Sequence, residues 1–423
     1  LSTTPKGIPP FIPASSPWAI AAYRRLQLGN FVLNFGRFVE LAAQSWLVYH
    51  LTGDAAWVGL HALVASVPML VFAIPAGVLA DRFDRRKLVF AMASIWSVLA
   101  IALAVLGALN LLTAGLIIGI TLLEGFCASG VRPVLSASLQ DVVGREHLPS
   151  ALAANSFSFN IARMCGPALG GVLIDSFGPK VSFMLNAAAF TVVLSAFYGL
   201  KLGSGSKRAN SSVFGEVREA VSYGLRQKGL RRIWWTTAAF AFLAGPVQGI
   251  LVVFVDHAYG SRDASDYGSL LSAMALGALA GAGVATQAPR YLPRSRIIPS
   301  AMFLYALSVG LFSLTKKFEV GLLLMVIVGV FHSTMMVSAM TAVQLLAPEG
   351  MRGRIISVQM TMFGTMHVGS GVAGIIAARA SAPQALSLFA ACMGMIAVYT
   401  LLAPVAEIDL HQSSSRSPNL KPT

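Results

Sequence analysis

Two acids and two arginines, Glu40, Glu124, Arg37 and Arg163, fall well inside long apolar segments of this 423-residue chain. Nothing around them is built to make or break covalent bonds. The sequence has no Gly-rich loop ending in Lys-Ser or Lys-Thr, no metal-ligand cluster and no Ser-His-Asp context, so neither nucleotide hydrolysis, a metal nor a cofactor is expected. Carboxyls and guanidiniums in an apolar medium can instead bind and release protons or ions. Four such charges left uncompensated would cost roughly 10 to 14 kcal/mol, comparable with a whole stability of about 5 to 15 kcal/mol. Each must be paired, neutralised by a proton or wetted by a cavity.

Helical spacing sorts these residues into faces. Asn30, Asn34, Arg37, Glu40 and Gln44 share one side of the first apolar segment, a stripe that lipid would reject and that is expected to line a central cavity. Ser156, Asn160 and Arg163 form a similar row in the fifth. Arg37 lies three residues before Glu40 and is placed to form a permanent pair with it. Glu124 has no basic residue within a turn of its own helix, which makes it the first candidate for proton exchange unless Arg163 reaches it from the next helix, and Glu40 the second. In the second half His332 and His367 are read as the ionisable groups at mid-depth, able to titrate or simply to pack. Asp256 and His257 mark the outer end of the seventh segment.

The elements that must carry these residues are membrane helices. The chain is 56% hydrophobic and only 11% charged, against about 25% charged in soluble domains, so the bilayer is its main solvent. Spans are expected at 26–51, 57–80, 88–109, 113–136, 151–175 and 181–200, then at 233–256, 266–288, 297–315, 320–343, 354–379 and 384–404. The fold class is therefore all-α, twelve transmembrane helices in two pseudo-symmetric six-helix bundles. Residues 1–22 read as an N-terminal tail and not a cleavable signal, 23–200 as one bundle, 201–232 as a linker, 233–405 as the second bundle and 406–423 as a C-terminal tail. The linker carries Glu216, Arg218, Glu219, Arg226 and Lys228 in a pattern suited to a surface helix. The net charge of +14 needs no nucleic acid: basic residues concentrate on the side of the termini and linker, and only Lys180, Arg262, Lys316, Lys317 and Arg379 lie opposite, which predicts cytoplasmic termini in a bacterial inner membrane. Cys127, Cys165 and Cys392 are read as packing residues.

Two local patterns sharpen the reading. The loop after the second span runs Gly77-Val-Leu-Ala-Asp81-Arg82-Phe-Asp84-Arg85-Arg86-Lys87, and the fifth span contains Gly166-Pro167-Ala-Leu-Gly170-Gly171. Gly77 suits close helix packing, Asp81 can accept from a helix N-terminus in the other half, and the basic run suits an inner leaflet. In these residues the chain resembles the major facilitator superfamily, in the branch that contains the enterobactin exporter and related secretion effectors, with Asp84 where the usual pattern has a second Gly. The resemblance implies that Gly77, Asp81, Arg82, Asp84, Arg85 and Arg86 form a cytoplasmic gate, and that Gly166, Pro167, Gly170 and Gly171 form an exporter helix. It also implies protons and an amphipathic small molecule as partners, with an acid on the first or fourth span as the coupling group. One chain already holds both halves, so a monomer is expected.

Overall fold

A computed structural model describes residues 17–68, 85–198 and 213–403, and every regular element among them is helical. In the first half these are α1 (Ala21–Thr52), α2 (Ala55–Val64), α3 (Arg85–Ala108), α4 (Ala114–Phe177) and α5 (Pro179–Phe197). A linker helix α6 (Val213–Arg226) leads to the second half: α7 (Lys228–Gly249), α8 (Leu251–Tyr259), α9 (Ala264–Gln287), α10 (Arg294–Leu314), α11 (Phe318–Leu346), α12 (Arg352–Phe363), α13 (Thr365–Arg379) and α14 (Ala382–Leu402). Nine stretches among the described residues are long and apolar enough to cross a membrane, and α7 with α8 makes a tenth across a 56° bend. The two remaining predicted spans are α1, which is long enough but carries the polar stripe, and α2, which has only ten residues and ends at Val64, four residues before the described stretch does. Successive helices run back and forth, so the bundle has one end near Pro17 and Ala403, the terminal end, and an opposite far end.

The large apolar side chains Val98, Leu323 and Met395 are exposed on the outside, as a lipid-facing surface requires. Inside, Phe240, Tyr305 and Phe312 are fully buried in the second half, and Tyr23, Phe183 and Phe190 in the first. The halves meet where the C-terminal part of α4 packs on α9 and where α2 packs on α13. At the second crossing Gly59 faces Gly374; a Cβ on Gly374 would lie 2.7 Å from the Gly59 Cα, so only small residues let these backbones touch.

Several expected boundaries change. The fourth and fifth spans lie on one nearly continuous helix, because only Gly144, at φ 71° and ψ 175°, interrupts it between Ala114 and Phe177. The seventh span is not one helix: Pro246 lacks a backbone donor and the chain bends at Ile250. The eleventh is split at Gly364, where Thr365 donates its hydroxyl to the Ala238 carbonyl of α7 at 2.9 Å. The linker segment is docked as well as helical: Ala220 is buried, and Glu219 pairs with Arg354 at 3.1 Å. Helix α7 begins at Lys228, inside the expected linker.

Candidate functional site

The polar stripe of α1 is buried at Asn30, Glu40 and Gln44 and half-buried at Asn34 and Arg37, and it meets α4 and α5 in one charge cluster. Arg37 Nη1 donates to Glu124 Oε2 at 2.8 Å and lies 3.7 Å from Glu40 Oε2. Gln44 Nε2 donates to the same Glu124 oxygen at 3.1 Å. Asn186 of α5 donates its amide to Glu40 Oε2. Gly36 makes that last contact possible, since a Cβ there would collide with the Asn186 side chain. Both carboxyls are fully buried, and the Oε1 atom of each has no hydrogen-bond partner among the described residues. The expected Arg37–Glu40 pair is therefore present but shared: Arg37 makes its shorter contact with Glu124, because the packing of α1 on α4 brings these residues face to face. Arg163 does not serve Glu124.

From this cluster a short polar path leads toward the centre of the molecule. The Gln44 carbonyl oxygen accepts from Thr121 Oγ1 at 3.1 Å and lies 3.4 Å from His61 Nε2, while His61 Nδ1 lies 3.3 Å from Ser45 Oγ. His61 and Ser45 reach the wall of a cavity of about 130 Å³ between the two halves. Arg163 and Pro167 of α4 line it from the first half, and Tyr267, His332 and His367 from the second. Drug-sized ligands occupy pockets of about 300 to 1,000 Å³, so this cavity must widen to admit one. A second cavity of about 180 Å³ lies on the terminal side of Arg37 and is lined by Asn30, Asn34, Trp96 and Phe159. The predicted stripe thus divides between two spaces. Asn34 donates to the Asn30 carbonyl of its own helix at 2.7 Å, and Asn160 to that of Ser156 at 2.9 Å, so neither amide joins the charge cluster.

The far end is closed by contacts between the halves. A Cβ on Gly171 would lie 2.7 Å from the Cα of Ser265 at the start of α9, and one on Gly268 would collide with the Pro167 carbonyl. Gly166 and Gly170 face α1 instead, against Phe38 and Val39. One turn beyond Gly171, Asp175 accepts the backbone N–H of Ala264 at 2.9 Å and of Ser265 at 2.8 Å, capping α9 from across the interface. The helix's own N-cap residue, Asp263, makes no such bond. Tyr49 donates its hydroxyl to Asp256 Oδ2 at 2.7 Å, and Arg262 Nε donates to the same oxygen at 3.2 Å. That hydrogen bond to Asp256 holds the exposed Arg262 guanidinium above its ordinary range. Asp256 is thus an inter-half contact as well as a helix boundary.

Of the proposed cytoplasmic gate, Gly77, Asp81, Arg82 and Asp84 lie outside the described residues, while Arg85 and Arg86 begin α3. Sequence reasoning missed His61, Thr121, Asn186 and Asp175. The signal was there for three of them: His61 lies inside the second predicted span, Thr121 inside the fourth and Asn186 inside the sixth, each a polar residue in an apolar run.

These helices, charges and inter-half contacts can be compared with known proteins. The model of the transmembrane secretion effector family matches residues 12–422. The chain belongs to that family. The chain is 25% identical over 398 residues to the multidrug efflux pump Tap of Mycolicibacterium fortuitum, covering 89% of this chain and 94% of the relative. It is 26% identical to the enterobactin exporter EntS of Salmonella typhimurium, covering 79% and 80%, and 20% identical to the staphyloferrin A transporter of Staphylococcus aureus, covering 82% and 87%. Its helices superpose on a nucleoside transporter, NupG, with a TM-score of 0.70 at 13% identity, covering 90% of this chain and 99% of the other. A D-xylose–proton symporter gives 0.71 at 12% identity, covering 91% and 98%. The fold is that of the major facilitator transporters.

Proposed function

We propose that this chain is a proton-coupled secondary exporter that moves an amphipathic small molecule out of the cytoplasm by alternating access, with both termini cytoplasmic. The observation that carries the coupling is the charge balance at Arg37: one guanidinium serves two fully buried carboxyls. With both acids ionised the cluster holds one negative charge too many. At an effective dielectric of about 20, two carboxylates 4 to 6 Å apart repel by roughly 3 to 4 kcal/mol. A single proton removes that excess, and its loss restores it. The Gln44–His61 path connects the carboxyl to the cavity wall, so the state of Glu124 is felt where cargo would bind. Relatives named for drug efflux and siderophore export support outward transport, and the basic bias toward the terminal end supports the orientation.

The test is efflux in everted vesicles under an imposed proton gradient, using a panel of siderophores and fluorescent drugs. The native chain should accumulate at least one of them, and Glu124→Gln should abolish the gradient-driven part. Retention of coupled transport by both Glu124→Gln and Glu40→Gln would refute the mechanism.

A further inference from the structure

The central cavity has an electrostatic imbalance of its own, opposite in sign to that of the Arg37 cluster. Arg163 lies in its wall, its Nε buried without a hydrogen-bond partner, and among the described residues it has no carboxylate to pair with. Among the described residues no Asp or Glu lines the cavity. Facing Arg163 across the same cavity from the second half, His332 is almost wholly buried, and its Nδ1 likewise has no partner among the described residues. Phe240 and Tyr305 hold the His332 ring from behind, with ring centroids 5.6 and 5.8 Å away. The rest of the wall is largely apolar, with Phe38, Leu271, Met274 and Met366. A buried cation with no counter-ion is costly, and a guanidinium is shaped to take two oxygens of one planar group.

We infer that the cavity takes an amphipathic anion, a molecule whose carboxylate or similar oxyanion sits against Arg163 and accepts from His332 while its apolar body lies along Phe38 and the methionines. This rests on the cavity being the cargo site of the proposed exporter. The anion would touch both halves at once, α4 through Arg163 and α11 through His332, so binding itself would draw them together.

The experiment measures equilibrium binding of dansyl-leucine and of its methyl ester to the full-length protein in nanodiscs, with empty nanodiscs subtracted. The two probes share the apolar body and differ in the carboxylate. The acid is expected to bind about 10-fold tighter or more, the value of a charge-assisted hydrogen bond. Arg163→Gln should erase the difference by weakening the acid alone, and Arg163→Lys, which keeps the charge without the fork, should retain part of it. His332→Ala should weaken the acid more than the ester. Equal binding of acid and ester by the native protein, no binding of the acid up to its solubility limit, or a preference that survives Arg163→Gln would overturn the inference. The native comparison needs no variant, so misfolding cannot mask the answer. Binding also needs no gradient: failure of anion preference with coupled efflux intact refutes the anion site alone, whereas loss of gradient dependence with the preference intact refutes the proton mechanism alone.

Discussion

Removing the cap that Asp175 places on α9 should open the far end of the molecule. Two backbone N–H groups of α9 are satisfied by this one carboxylate, and they belong to the opposite half. An N-cap substituted by Ala costs about 0.5 to 2 kcal/mol, and a negative charge at a helix N-terminus adds about 0.3 to 1 kcal/mol when solvent-exposed. Asp175 is exposed, so the lower part of the combined range applies, about 1 to 2 kcal/mol for Asp175→Ala. When the halves separate at this end the cap is lost in the native chain as well, so the whole of that energy bears on the closed state and little on the open one. The open-to-closed ratio at the far end should therefore rise about 5- to 30-fold.

The measurement is a spin-label distance between Lys180→Cys on the first half and Lys316→Cys on the second, both exposed at the far end, in a background lacking Cys127, Cys165 and Cys392. Asp175→Ala should move population to longer distances. Asp175→Asn, which keeps an acceptor but loses the charge, should move less. An unchanged distribution, or one shifted to shorter distances, refutes the reasoning, because no other carboxylate caps α9 among the described residues.

Other perturbations bear on the same elements. Gly171→Ala forces a methyl against the backbone of Ala264 and Ser265 and should favour the far-end-open state in the same label assay by about 1 to 3 kcal/mol; combined with Asp175→Ala it should be less than additive, since both act on one pair of α9 residues. Arg37→Gln leaves two buried carboxyls without their guanidinium and should cost about 3 to 5 kcal/mol of stability, seen as a lower melting temperature in detergent, with partial recovery in Arg37→Gln/Glu40→Gln. Tyr49→Phe removes one donor to Asp256 while Arg262 remains, and should shift the far-end equilibrium by only about 1 kcal/mol.

The fold was legible because its causes are local. Apolar length marks spans, and the basic bias and the Gly and Pro residues mark loops and close crossings; Gly171 and Gly374 do sit where the halves touch. The candidate site was legible in membership and not in pairing. Helical spacing correctly put Arg37, Glu40 and Gln44 on one face, but the residue that completes the cluster comes from α4, 80 positions from Gln44, and nothing along the chain encodes which rotation of α4 faces α1. Asp175 illustrates the same limit: an exposed acid near a helix end reads as solubility until the partner helix is in place. His61 was passed over because a lone histidine carries no period, whereas its role follows from Gln44 and the cavity wall.

The sharing of Arg37 between two acids also explains why the interior charges stay unbalanced. Had Arg163 neutralised Glu124, as one reading of the sequence allowed, and Arg37 neutralised Glu40, four buried charges would form two closed pairs. Such pairs hold a structure together but leave no reason for a proton or an anion to enter. The fold instead places both carboxyls on Arg37 and leaves Arg163 on the cavity wall with no carboxylate partner among the described residues. The first half is then short of one positive charge at the cluster, and the cavity is short of one negative charge at Arg163. A proton would fit the one deficit and an oxyanion the other, and Gln44 and His61 link the cluster to the cavity wall that Arg163 lines. Occupying either changes the field at the other, which is the physical requirement for coupling two solutes in one carrier.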